Sequence, residues 1–257
     1  MDPESIGWFV WLAAGAIFLL AGLAHGILGL GFPMLATPLL AILVDIRTAV
    51  LLTLLPTVTV NLISILRGGG WGESIGRYWP LALMIPVGSV AGTWLLVSVD
   101  PAPFRLLLAA IILLHLASHR IRGAHLQWVR TYPWAAYLLF GLAAGFLAGT
   151  VNVMVPLLII FALEIGMAPA VMVQVFNLCF LAGKTAQIVT FGYTGVLTSS
   201  LIAATLPLAA GAAATLFLGM RIRDKVDAET YRGWLRKLLV VIALVLIGQF
   251  VHWFWRA

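Results

Sequence analysis

Gly26-Ile27-Leu28-Gly29-Leu30-Gly31-Phe32-Pro33-Met34-Leu35-Ala36-Thr37-Pro38 interrupts an apolar stretch otherwise long enough to cross a bilayer. Gly29 and Gly31 let the backbone leave the helical region, and Pro33 and Pro38 start or kink a helix because proline fixes φ and lacks an amide hydrogen. The stretch therefore reads as the end of a long helix over residues 7–28 followed by a short one over 32–44. A rise of 1.5 Å per residue gives the short segment about 18–20 Å, less than the ~30 Å hydrocarbon core. A second break follows the same plan. Gly145 and Gly149 precede the short segment 152–163, which carries Pro156. Outward from these two half-helices, the remaining apolar runs are 48–66, 79–99, 104–118, 133–149, 168–191, 196–220 and 238–255. The expectation is an all-α polytopic membrane protein with eight long helices and two short half-helices.

Composition agrees with that reading. The 257 residues are 63% hydrophobic and 9% charged, with a mean hydropathy of +1.09, whereas soluble domains run near 45–50% apolar and 25% charged. A soluble enzyme, a disulfide scaffold and a disordered chain are excluded. A single cysteine, Cys179, rules out internal disulfides and cysteine-based zinc sites. The start, Met1-Asp2-Pro3-Glu4, is acidic where a signal peptide is basic, so the first span is expected to be retained. The net charge of +6 reads first as membrane topology rather than as a nucleic-acid patch.

The two breaks lie in repeated surroundings. Gly22-Leu23-Ala24-His25-Gly26-Ile27-Leu28 answers Gly141-Leu142-Ala143-Ala144-Gly145-Phe146-Leu147, and Asp45-Ile46 answers Glu164-Ile165 at the same offset. Pro38 answers Pro156 and Pro86 answers Pro207 at nearly that offset. The chain is read as two homologous halves, 1–119 and 133–257, joined by a basic linker over 120–132 in one integral membrane domain. Basic residues settle the expected orientation. If the short segments also reverse the chain, then Arg67 and Arg77, Arg120, Arg122 and Arg130, and the group from Arg221 to Lys237 all face one side. Eleven of the fifteen basic residues are then on that side, against Arg47, Arg105 and Arg256 on the other. Lysine and arginine mark the cytoplasmic side, so five segments per half, inverted repeats and both termini outside are expected. The run from Arg221 to Lys237 is read as a solvated loop able to meet anionic lipid.

The quoted stretch resembles the glycine-rich signature of the sulfite exporter family (TauE/SafE type), and the run from Ala49 to the Arg67-Gly68-Gly69 turn is similar to that family's second helix. The duplicated half, the length and the central linker fit as well. Leu30-Gly31-Phe32 departs from the Gly-Gly-Gly run often found there in the family. The resemblance implies a secondary transporter, an exporter of sulfite or a small organosulfonate, in the bacterial cytoplasmic (inner) membrane. A channel for a small anion and, with less support, an intramembrane enzyme are the alternatives. The implied partners are the small anion and membrane lipids, with a homodimer left open. No cofactor, metal site or catalytic residue is expected. Gly183-Lys184-Thr185 mimics the tail of a phosphate loop, but Leu178 stands where the first glycine belongs.

The candidate substrate residues are those whose polarity contradicts their depth. Lys184 interrupts an apolar run, and a charge at the bilayer centre costs from about 2.5 kcal/mol upward, so a cavity or an anionic partner is expected. Gln174, Asn177, Lys184 and Gln187 follow helical spacing and can share one face. His25 sits at the first break and is able to relay a proton or donate to an oxyanion. Thr57 and Asn61 mark a second polar face, Asn152 the second break, and Gly29 and Gly31 the first. The amides of these residues are expected to donate to sulfonate oxygens. Asp45 is expected to cap the helix that follows it or to pair with Arg47, and Glu164 to cap the helix after it, with a gate or proton site as the alternative.

Overall fold

The computed structural model describes residues 3–117 and 126–256. Among them the secondary structure is helical. The helices are α1 (Trp8–Leu28), α2 (Phe32–Leu43), α3 (Ile46–Gly68), α4 (Ile75–Ser98), α5 (Pro103–Ala117), α6 (Gln127–Thr131), α7 (Pro133–Val151), α8 (Val155–Glu164), α9 (Pro169–Tyr193), α10 (Ser199–Ile222) and α11 (Ala228–Phe254). Single turns of 3-10 helix lie at Pro3–Ser5 and Arg223–Lys225. Both breaks fall where glycine and proline place them. Gly29 and Gly31 take φ of 81° and 109°, values that L side chains rarely adopt, and separate α1 from α2. Asn152 ends α7 at φ 60°, the one non-glycine left-handed position among the described residues.

Seven helices, rather than eight, are long and apolar enough to cross a membrane among the described residues. The segment expected over 104–118 is α5, 15 residues long, about 22 Å at the α-helical rise. Pro101 and Pro103 block its extension backwards, and the Asp100 carboxylate accepts from the Ala102 N–H at 2.7 Å to close the turn before it. The expected solvated loop from Arg221 to Lys237 is also revised. After one turn of 3-10 helix the chain resumes as α11 from Ala228, so much of that charged run is the first part of a helix. Part of the linker, residues 118–125, lies outside the described residues, and α6 occupies its end.

Hydrogen bonds show which helix ends share a side. Gln249, near the end of α11, donates to the Ile42 carbonyl at the end of α2 (3.0 Å). Arg47, at the start of α3, donates to the carbonyls of Leu96, Val97 and Val99 at the end of α4 instead of pairing with Asp45. At the opposite end, His25 meets Ser64 (3.0 Å), Gln174 meets Gly69 (2.9 Å), and Arg67 covers the Phe217 ring. The Leu126 N–H, just before α6, donates to Glu164 at the end of α8 (3.1 Å). These contacts put the ends of α1, α3, α8 and α10 and the starts of α4, α7 and α9 on one side, termed the basic face after Arg67, Arg77, Arg130 and Arg221. Thus α1 runs toward the basic face and α7 away from it.

Two parallel helix pairs build most of the bundle, α1 on α10 and α4 on α7. Small residues at helical spacing let the backbones touch, the packing expected where lipid supplies no hydrophobic drive between helices. A Cβ on Gly22 or Gly26 would overlap the carbonyls of Ala212 or Leu216 in α10. One on Gly145 or Gly149 would overlap those of Ile85 or Ser89 in α4. Helices α3 and α9 pack together between these pairs, α3 also against α10 and α9 also against α4. Asp45 caps α3 as expected, accepting from the Thr48 N–H at 3.1 Å. Glu164 does not cap α9, whose N-cap is Ala168; its carboxylate takes the Leu126 amide instead.

Reporter enzymes fused after Gly69, after Gly123 in the linker and after Asp227 should all report the cytoplasm. Alkaline phosphatase activity at Asp227 alone would contradict the chain directions above.

Candidate functional site

The candidate side chains lie in the interior of the bundle. His25, Thr57, Asn61, Asn152, Gln174, Asn177, Lys184 and Gln187 are each 4% or less exposed. Six of them form two clusters, one at each helix break, while Asn61 bonds to Thr57 within α3.

The first cluster surrounds the α1–α2 break. His25 Nδ1 accepts from the Phe32 N–H (3.3 Å). Its Nε2 therefore carries the proton and donates to Ser64 Oγ at 3.0 Å. Asn177 of α9 donates to the carbonyl of Gly29 (2.9 Å) and to that of Val173 one turn back (2.7 Å). Gln174 donates to Gly69 and Ile65 at the end of α3. Asn177 of α9 thus holds the broken backbone of the first half, and Gln174 holds the end of α3.

The second cluster surrounds the α7–α8 break. Asn152 donates to Thr37 Oγ1 (2.7 Å) and Thr53 Oγ1 (3.0 Å). Thr53 in turn donates to the carbonyls of Ala49 and Val50, which fixes it as the acceptor from Asn152. Ser89 of α4 donates to the Gly183 carbonyl at 2.9 Å. Gly183 faces Met154 and Ala148, so the next residue, Lys184, lies beside this break. Lys184 Nζ donates to Gln187 Oε1, and Gln187 Nε2 donates to the Gly149 carbonyl at 2.9 Å. Among the described residues no carboxylate comes within ion-pairing distance of Lys184.

Amide donors expected to meet a substrate are already engaged. The nitrogens of Asn61, Asn152, Gln174, Asn177 and Gln187 all donate within the protein, Asn61 to the Thr57 carbonyl at 2.6 Å. In four of them the other end is unmet: Asn61 Oδ1, Asn152 Oδ1, Gln174 Oε1 and Asn177 Oδ1 are buried without a partner. Such groups cost free energy unless something donates to them. Donors left for an anion are the Lys184 ammonium and the hydroxyls of Thr57 and Thr93, whose Oγ1 atoms have no partner. Half-helices α2 and α8 add their N-termini, whose N-caps Gly31 and Met154 make no side-chain capping bond.

Sequence reasoning left out Thr37, Thr53, Ser64 and Thr93, all buried in these clusters. A signal for some of them was present. Thr53, Thr57, Asn61 and Ser64 recur at helical spacing on α3, the stripe already used to select Gln174, Asn177 and Lys184 on α9. Gly31 differs from the other glycines of the breaks. Nothing lies within 4 Å of a Cβ built there, so its requirement is φ and not space. Gly31→Ala should cost about 1–3 kcal/mol through backbone strain, seen as a lower unfolding temperature in detergent. An unchanged temperature would mean that the break tolerates an ordinary residue.

Among the described residues no group of three His, Cys, Asp or Glu stands close enough to hold a metal ion. Seven long apolar helices enclosing broken helices and a buried lysine define an integral, multi-pass membrane protein built as transporters are. The family profile described as sulfite exporter TauE/SafE matches residues 14–250, and the chain belongs to that family. It is a family of membrane transporters for small anions. No curated protein and no solved structure matches the chain.

Proposed function

We propose that the protein is a secondary exporter of sulfite or a small organosulfonate across the bacterial cytoplasmic membrane, with Lys184 as the main positive charge for the anion. The carrying observation is Lys184 itself, 1% exposed and, among the described residues, held only by the neutral Gln187. Desolvating an ammonium costs several kcal/mol unless a counter-charge offsets it. A sulfur oxyanion brings that charge together with oxygens for the free hydroxyls of Thr57 and Thr93. Asn152, Asn177 and Gln187 serve the site indirectly by holding the breaks and Gln174 by holding the end of α3, while Gly29 and Gly31 allow the first break. His25, hydrogen-bonded on both ring nitrogens, orders the start of α2.

The two halves, 1–119 and 133–257, are inverted repeats in this reading. The opposed directions of α1 and α7 support it, as does the exchange of partners: α1 packs on α10 while α7 packs on α4. Inverted halves allow one half to rock against the other and open the same site to each side in turn. Burial of all eight polar candidates favours this alternating access over a continuous anion channel.

Purified protein in sealed liposomes should give saturable flux for one or more of sulfite, sulfoacetate, isethionate, taurine and thiosulfate. Flux of none of them above empty liposomes would remove the sulfur-anion assignment.

A further inference from the structure

A cleft of about 500 Å³ opens on the basic face between the end of α3 and the last turns of α10. Arg67, Ala214, Phe217, Leu218, Met220 and Arg221 line it. The Arg67 guanidinium lies over the Phe217 ring, 4.8 Å from its centroid. Neither arginine has a hydrogen-bond or ion-pair partner among the described residues. Among the described residues, two like charges thus face one cleft without a carboxylate between them.

The surroundings of the cleft are apolar and face outward. Leu66, next to Arg67, is 59% exposed, and Leu218, beside the cleft floor, is 51% exposed. Both lie on helices apolar enough to cross a membrane, so these faces meet hydrocarbon. The arginines come at the ends of those helices, at the depth of phosphate headgroups. Guanidinium groups match phosphate oxygens in bidentate geometry, and Ala214, Phe217 and Leu218 offer an apolar track along α10 for an acyl chain.

We infer that the Arg67–Arg221 cleft is a binding site for one anionic glycerophospholipid, its phosphate bridging the two guanidiniums and a chain lying along α10. The double positive charge selects an anionic headgroup over a zwitterionic one, and the apolar track selects a lipid over a free anion. This inference does not depend on the substrate assigned to the interior.

Native mass spectrometry of the purified protein, released from neutral detergent, tests it with dioctanoyl-phosphatidylglycerol as the probe. One molecule should bind, and R67Q/R221Q should weaken it about thirty-fold, from roughly five-fold per arginine at ~1 kcal/mol each. R221Q alone should weaken it about five-fold by the same reckoning, so the test survives a double variant that fails to fold. Dioctanoyl-phosphatidylcholine should bind at least ten-fold more weakly, and millimolar inorganic phosphate should not displace the lipid. Unchanged affinity in R221Q, equal binding of the choline lipid, or displacement by inorganic phosphate would each overturn the assignment; the last would make the cleft a site for free oxyanions.

Discussion

Lys184→Gln should weaken binding of the transported anion by about 10- to 150-fold, equivalent to roughly 1.5–3 kcal/mol, the scale of a hydrogen bond to a charged group. Two unit charges about 4 Å apart attract by ~4 kcal/mol at an effective dielectric near 20, and desolvation of the anion consumes part of that. Glutamine keeps a donor and most of the length but loses the charge. Lys184→Arg keeps the charge in a planar fork that the space beside Gln187 and Gly149 was not shaped for, so partial loss is expected. Calorimetric or thermal-shift titration with each candidate anion reads the difference. Lys184→Gln should remain folded, because removing an uncompensated buried charge relieves a cost, and Lys184→Arg should remain folded because it leaves the charge where the parent already holds one. Parental affinity in Lys184→Gln would mean that the anion is held by hydroxyls and helix N-termini instead.

Gly145→Leu should remove the folded protein altogether. A Cβ at Gly145 would overlap the Ile85 carbonyl of α4, and backbone cannot swing aside as a flexible side chain does. Overpacking a core by methylenes already costs about 1–3 kcal/mol, and more where nothing can shift. Three further carbons in the α4–α7 contact exceed what a marginally stable bundle tolerates. Gly26→Leu should act alike on the α1–α10 contact, where Leu216 supplies the carbonyl. Gel filtration and thermal unfolding of the detergent-purified protein would show aggregation or a large loss of stability, with Gly145→Ala intermediate. A monodisperse Gly145→Leu protein of parental stability would contradict the close packing of α4 on α7. Read together, Lys184 and Gly145 separate a binding defect from a folding defect.

The breaks were legible because glycine and proline restrict backbone in ways that hold in any surroundings. α2 begins at Phe32 right after Gly31, and α8 at Val155 just before Pro156. The depth of Lys184 and its neighbours on α9 was legible for a similar reason, since polar residues at helical spacing on an apolar helix need a buried face. The extent of α5 was legible within a residue; what failed was counting its 15 residues as a long span, since Pro103 and the Asp100 turn hold its start where it is and 15 residues rise only about 22 Å. The charged run after Arg221 misled because charge was equated with loop; a helix reaching past the membrane surface keeps its backbone bonds inside itself and needs no apolar residues there. Acidic repeat mates also parted ways. Asp45 stands next to α3 and caps it, whereas Glu164 is separated from α9 by Gly166 and binds the linker.

The roles of the amides were not legible at all. Sequence places Asn177 and Gln174 at membrane depth but is silent on which end of an amide is already in use. Only the carbonyls of Gly29 and Gly69, left free by the unwound backbone, decide that the nitrogens turn inward to the protein. This changes the expected chemistry of the interior from a ring of amide donors to one lysine, two hydroxyls and several open acceptor oxygens. The acceptor oxygens of Asn61 and Asn177 suit a protonated substrate or ordered water better than a bare oxyanion.

Counterflow in proteoliposomes tests the central claim, that a closed site around Lys184 carries a sulfur oxyanion by alternating access. Liposomes loaded with unlabelled sulfite and diluted into trace labelled sulfite should accumulate label transiently above its external concentration, and Lys184→Gln should abolish that overshoot while leaving the protein folded. Label that only equilibrates at a rate unaffected by internal sulfite, or an overshoot of parental size in Lys184→Gln, would contradict the account.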